Sequence, residues 1–187
     1  MDGRKRIAMT GHTSGVGQAL YDYWRGRGHD VQGFSRSNGY DLSRAETITR
    51  VVQESLKCDW FINNAFNEWA QIDLLYALFE KWRDQERWIL NIGSNSPDRT
   101  KGFPHKYQSV KAALDVACAQ LNHIQGARCR VSCLRPGWIR TPRIADLKVN
   151  EPMLVTADIC ATVAWLAALP PHVHVPMLTL QATDRTR

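Results

Sequence analysis

Short apolar runs alternate with longer stretches of helical periodicity along the whole chain, and this alternation constrains the fold more than any other feature. Arg6–Thr10 (RIAMT) reads as a buried strand. A glycine-rich turn spans 11–17, and 16–25 then repeats Val16, Leu20, Tyr23 and Trp24 at helical spacing. Gly26 and Gly28 end that helix. Asp30–Phe34 is a second strand, and 39–42 has room only for a stub of a third. Ser43 is placed to cap a helix, with Glu46 completing a capping box, and that helix runs to about Leu56. Strands follow at 58–63, Trp88–Ile92, 128–134 and 173–180. The intervening helices are predicted at 69–83, 104–125 and 156–169. Ile72, Leu75, Tyr76 and Phe79 share one face of the first of these, and Pro104 enters the second at a position where a missing N–H costs nothing. Strand–helix alternation with right-handed crossovers predicts an α/β fold, a doubly wound parallel sheet with helices on both faces.

Composition narrows the function classes. A chain of 187 residues fits a single domain able to bury its own core, and 44% apolar residues argue against long disorder. No apolar run approaches the ~18 residues of a membrane span. The start carries charge without an apolar stretch of signal-peptide length, so no secretory leader is expected. The net charge is +6, but the basic residues are scattered and the longest cluster is Arg4-Lys5-Arg6. That pattern predicts a solvated basic surface, with no nucleic acid and no membrane as partner. Five cysteines, an odd count without a C-x-x-C pair, predict a reduced, cytoplasmic setting. His172 and His174 lack a completing ligand set, so no metal is expected.

The segment Thr10-Gly11-His12-Thr13-Ser14-Gly15-Val16-Gly17 lies between the first strand and the first helix. Such a turn can bring backbone N–H groups and the positive end of a helix to a diphosphate. A tight strand–helix turn could need the same glycines for packing alone. Further along, Tyr107 and Lys111 stand four residues apart in a predicted helix, which makes them neighbours on one face. An ammonium beside a phenol favours the phenolate and lowers its pKa from about 10. A proton donor and acceptor for a carbonyl/alcohol pair needs that property.

Taken together, these motifs resemble those of the short-chain dehydrogenase/reductase family. The glycine loop is similar to its T-G-x-x-x-G-x-G signature, and Tyr107-Gln108-Ser109-Val110-Lys111 to its Y-x-x-x-K. Asn63-Asn64-Ala65 resembles N-N-A-G, with Phe66 in place of the glycine. The stretch Arg135-Pro136-Gly137-Trp138-Ile139-Arg140-Thr141 resembles P-G-x-x-x-T. The four occur in the family's order and span nearly the whole chain.

The resemblance implies a Rossmann-type fold and hydride transfer between a nicotinamide and a carbonyl or alcohol. Tyr107 would be the acid/base and Lys111 a ligand of the nicotinamide ribose. Ser94, thirteen residues before Tyr107, would hold the substrate oxygen, with Ser96 as its rival. Thr13, Ser14 and Val16, with Gly11, Gly15 and Gly17, would cradle the diphosphate. Asp41 and Leu42 would flank the adenine, and Asn64 would lie by the riboses next to Ala65. Pro136 and Gly137 would line the cofactor, while Ile139 and Thr141 hold its carboxamide.

The second strand ends in Gly33-Phe34-Ser35-Arg36-Ser37-Asn38, without an acidic residue to select NAD. Arg36 can pair with a 2′-phosphate, with Ser35 and Ser37 as further donors, so NADP(H) is the expected cofactor.

This chain is shorter than the family's usual members. A helix between the second strand and 39–42 is absent, the stretch 63–94 is abbreviated, and the substrate loop after Thr141 is brief. The family's active-site asparagine falls in the abbreviated part, with Asn67 and Gln71 as candidates. Phe66, Phe103 and Trp138 are expected around an open pocket, or else in the core. A homodimer or homotetramer through the helices at 69–83 and 104–125 is a further implication of the resemblance. The alternative reading is a catalytically weak NADP(H)-binding sensor or regulatory protein of the same fold. A sugar-nucleotide epimerase shares Y-x-x-x-K but needs a larger C-terminal substrate domain.

Overall fold

A computed structural model describes residues 3–99 and 102–184. Eleven elements alternate along these residues: β1 (Arg6–Thr10), α1 (Gly15–Arg25), β2 (Asp30–Phe34), α2 (Ala45–Ser55), β3 (Trp60–Asn63), α3 (Ala70–Trp82), β4 (Trp88–Ile92), α4 (Lys106–Asn122), β5 (Arg130–Pro136), α5 (Thr156–Ala168) and β6 (Met177–Leu180). The strands form one parallel sheet in the order β2-β1-β3-β4-β5-β6. The chain runs outward from β1 to β2, then crosses back to β3. The order reverses between β1 and β3, where a Rossmann-type α/β fold opens its crevice.

Strand residues alternate between two cores, as the period of two requires. Ile7 and Met9 of β1 face α1 and α5, packing with Leu20, Trp24, Ile159 and Val163. Ala8 faces the other way, into the layer of α2, α3 and α4 with Val51, Leu75, Phe79, Trp82 and Leu114. Burial on both faces explains why β4 (WILNI) is buried throughout and shows no polar alternation. No helix among the described residues is long and apolar enough to cross a membrane. All five cysteines are buried free thiols.

Four local expectations are corrected. No strand forms at 39–42. Arg36–Asn38 instead makes one tight helical turn closed by Gly39 at φ +88°. The Asn38 side chain shapes that turn: its Oδ1 accepts the Ser35 N–H at 2.8 Å and its Nδ2 donates to the Gly33 carbonyl at 2.8 Å. Ser43 does not cap α2, because its N–H and hydroxyl both go to Asp41 Oδ1. Tyr76 is 41% exposed rather than buried with Leu75, its hydroxyl reaching Gln120 on α4. Pro104 precedes α4, which begins at Lys106 after His105.

Candidate active site

The C-terminal ends of β1 to β5, the loops after them and the first two turns of α1 and α4 carry every residue singled out by the sequence motifs. Gly11 holds φ +71°, and a Cβ there would meet Asn64 Nδ2 at 2.9 Å. A Cβ on Gly17 would lie 1.9 Å from the Gly11 carbonyl oxygen. Both glycines therefore let α1 start hard against β1. Gly17→Ala sets the Cβ against the Gly11 backbone, which cannot yield, as well as against the Asn64 side chain. It should destabilise the fold by about 1–3 kcal/mol, read as a lower urea midpoint at unchanged m-value.

The loop's packing and an anion-binding role are compatible. Ser14 precedes α1 without making a side-chain cap, so the first-turn N–H groups have no intrahelical acceptor and no cap. These donors and the helix dipole form a cradle suited to a diphosphate. Thr141, which precedes the Pro142–Ile144 turn, lies across from it, its methyl 3.5 Å from where a Gly15 Cβ would stand. Asn64 ties β3 to this loop by donating from Nδ2 to the Thr10 and Gly11 carbonyls at 3.1 and 3.3 Å. The Thr10 hydroxyl, fully buried, accepts the N–H groups of Asn64 and Ala65, both at 3.0 Å.

At the end of β2, Ser35 is buried and shares a 2.8 Å hydrogen bond with the Ser37 hydroxyl. Arg36 is exposed and makes no ion pair within 4.0 Å among the described residues. Asp41 is held below the usual carboxylate range by the Ser43 N–H and hydroxyl. Leu42 is buried in the core beneath α2 and α3. Pro136 is buried, the Gly137 N–H donates to Leu180, and Ile139 bridges Leu154.

Ser94, Tyr107 and Lys111 come together. Ser94 follows β4, is 9% exposed, and lies near enough to the Tyr107 phenol to lower its pKa. Its Oγ also accepts the Ser96 N–H at 3.1 Å. Ser96 accepts Gln108 Nε2 at its backbone carbonyl at 2.6 Å, and Ser94 rather than Ser96 is the serine that acts on the Tyr107 phenol. Lys111 is 2% exposed. Its Nζ donates to Gln71 Oε1 at 2.7 Å and to the Ile92 carbonyl at 2.9 Å.

Gln71 is itself buried and clamped. Its Nε2 donates to the Asn63 carbonyl at 2.8 Å, and its own carbonyl accepts Asn63 Nδ2 at 2.7 Å. Of the two candidates for the missing asparagine, Gln71 reaches Lys111. Asn67 serves the start of α3, its carbonyl accepting the Ala70 N–H.

The expected effect of Lys111 on Tyr107 is corrected. Burial raises the phenol above its ordinary pKa, while the Ser94 side chain and the Arg143 charge oppose the rise. Lys111 Nζ stands 5.7 Å from the Tyr107 ring centre and spends its donors on Gln71 and Ile92. Desolvation brings the lysine down to about 8.

The three pocket aromatics separate. Phe66 lies edge-on to Tyr107, centroids 4.8 Å apart. Phe103 is 61% exposed and lies edge-on to His105, whose ring is in turn edge-on to Tyr107. Trp138 donates to Glu151 at 3.2 Å. A cavity of about 510 Å³ opens against Arg140, Thr141, Ile144 and Met153, and none of the three aromatics is among its lining. Thr10, Asn38, Asn63 and Arg143 were not predicted as site residues, and of these Arg143 belongs to no motif. No cluster of three metal-ligating side chains occurs among the described residues.

No protein-family model matches the chain, and no curated protein does. Solved structures do. Serine dehydrogenase from Escherichia coli superposes with a TM-score of 0.78 at 19% identity, covering 94% of this chain and 96% of that one. A 3-ketoacyl-(acyl-carrier-protein) reductase from Brucella melitensis, complexed with NADH, gives 0.77 at 19%, covering 95% and 96%. An alcohol dehydrogenase from the archaeon Thermococcus sibiricus, complexed with 5-hydroxy-NADP, gives 0.77 at 18%, covering 99% of each chain. The Rossmann-type α/β fold is common to all of them.

Proposed function

We propose that the chain is a short-chain dehydrogenase/reductase that transfers a hydride between NADP(H) and a carbonyl or alcohol substrate. The joining of Ser94, Tyr107 and Lys111 beside the glycine cradle carries this reading. The bound nicotinamide would supply or accept the hydride at the substrate carbon. Ser94 would hold the substrate oxygen, and Tyr107 would give that oxygen a proton in reduction and take it back in oxidation. Lys111, fixed by Gln71 and Ile92, would bind the nicotinamide ribose. Similar folds in proteins named as dehydrogenases and reductases, some complexed with NADH or 5-hydroxy-NADP, support the same reading. The intact trio favours an enzyme over a cofactor-binding sensor. A panel of aldehydes and ketones assayed for NADPH oxidation tests it. Turnover of at least one carbonyl is expected, and its absence across the panel would favour the sensor.

NADP(H) is preferred in this reading because Arg36 has no carboxylate rival within Ser35–Asn38. A 2′-phosphate would meet a free guanidinium flanked by two hydroxyls. Arg36→Ala should weaken NADPH binding roughly ten- to a hundredfold and leave NADH nearly untouched, since a hydrogen bond to a charged group is worth about 1.5–3 kcal/mol. Equal loss for both nucleotides in a fluorescence titration would count against it.

Self-association is part of the proposal. Trp69, Tyr76 and Val116, on or beside α3 and α4, are 50%, 41% and 57% exposed. Light scattering should give the mass of a dimer or tetramer. A monomer mass independent of concentration would contradict this.

A further inference from the structure

Phe66 departs from the glycine of the motif it resembles, and the structure gives that departure a setting. The ring stands against Tyr107 and has two cations around it: Lys111 Nζ at 5.4 Å and Arg143 Cζ at 6.0 Å from its centre. Lys111 is buried and committed to Gln71 and Ile92. Arg143, on the Pro142–Ile144 turn, is exposed.

Three acids in the neighbouring loops already have partners, and Asp146, three residues past Arg143, pairs with no cation within 4.0 Å among the described residues. Glu68 pairs with Lys106, Glu151 with Arg99, and Asp98 with Arg135. Arg143 makes no ion pair within 4.0 Å among the described residues. A guanidinium is thus left over beside the aromatic ring that flanks the phenol. Its charge reaches both Tyr107 and Lys111, where it favours the phenolate and repels the ammonium. An anion bound at Arg143 would relieve the repulsion of Lys111 and favour the protonated phenol.

We propose that Phe66 and Arg143 form a specificity clamp for short oxo acids or the matching hydroxy acids. The phenyl ring packs the substrate's apolar stem, and the guanidinium takes its carboxylate, with the reacting carbonyl at Ser94 and Tyr107. A planar fork matches a carboxylate in two parallel hydrogen bonds, which a flexible ammonium does not reproduce. The clamp rests on the oxidoreductase reading for its carbonyl end, but its carboxylate end can be measured separately.

The test is titration calorimetry of levulinate and of its methyl ester into the full chain, with and without NADP(H). These probes share a ketone and a carbon stem and differ in the charge. Wild type should bind levulinate at least about tenfold more tightly at low salt, with the margin shrinking as salt rises. Arg143→Ala should bring acid and ester to parity while NADPH affinity stays within about twofold. Arg143→Lys should keep part of the preference, and Phe66→Gly should weaken acid and ester alike. The proposal is overturned by equal affinities in wild type, by no measurable levulinate binding, or by a preference that survives Arg143→Ala. It is also overturned if Arg143→Ala weakens NADPH as much as levulinate, which would make Arg143 a ligand of the cofactor phosphates. Failure of the oxidoreductase reading looks different: NADPH would neither bind nor be oxidised, whatever the acid–ester preference.

Discussion

Tyr107→Phe should lower turnover of any accepted carbonyl by about 100- to 10,000-fold, the range of a lost general acid or base. The substitution removes one oxygen and keeps the ring that packs against Phe66. NADPH affinity should therefore hardly move, and the loss should appear in kcat. The direction of the phenol's shift adds a pH signature. Because burial raises it, the protonated form is the stable one at neutral pH. Reduction, which needs the proton, should be sustained through neutrality and fall as pH rises through the phenol's pKa. Alcohol oxidation, which needs the phenolate, should climb over the same interval. Steady-state rates in both directions check this, and equal turnover in wild type and Tyr107→Phe would remove Tyr107 from the chemistry.

Lys111 makes the second large effect, on stability. Its ammonium is buried, and desolvation brings it from 10.5 to about 8. Below pH 8 the lysine is protonated in both folded and unfolded chains, and the fold carries the full cost of burying the charge. Between pH 8 and 10.5 the folded chain has released a proton that the unfolded chain still holds, so stability rises with pH. A shift of this size corresponds to about 3 kcal/mol over that interval, as an upper bound. Lys111→Met has no such titration. The stability of the methionine variant relative to wild type should thus be greatest at pH 7 and fall by up to about 3 kcal/mol by pH 10.5. Urea denaturation of both cofactor-free proteins gives the difference, in which titrations common to the two cancel. Parallel pH profiles would mean that Lys111 is solvated.

Local signals carried much of this structure. The strands β1, β2 and β4 have the predicted bounds: β1 and β4 are built on the apolar runs IAM and WIL, and β2 (DVQGF) sets buried Val31 and Phe34 among polar and glycine residues. The glycine loop was legible because Gly11 and Gly17 satisfy a backbone approach that no other residue permits. Arrangements that depend on tertiary partners were not. Ser43 has the residue type and spacing of a cap, yet its hydroxyl is turned to Asp41, two residues back, as a donor. Tyr76 falls on the apolar stripe of α3, but its phenol is drawn outward to Gln120, distant in sequence.

The site divides the same way. Tyr107 and Lys111 share a helix face by spacing alone, whereas the sign of the phenol's shift depended on where the ammonium points. Gln71 and Ile92 decide that, and both lie on other elements. Arg143 sits in a loop without periodicity, and only the fold of that loop brings it near Phe66.

Equilibrium titration of the wild-type chain with NADPH and NADH, followed by fluorescence, tests the central claim most directly, because it needs no knowledge of the substrate. Saturable binding of one nucleotide per chain is predicted, with NADPH the tighter and its advantage greatest at low salt. Saturation by neither nucleotide would contradict the account at its root, leaving the glycine loop a structural turn and the Ser94–Tyr107–Lys111 trio without a hydride source.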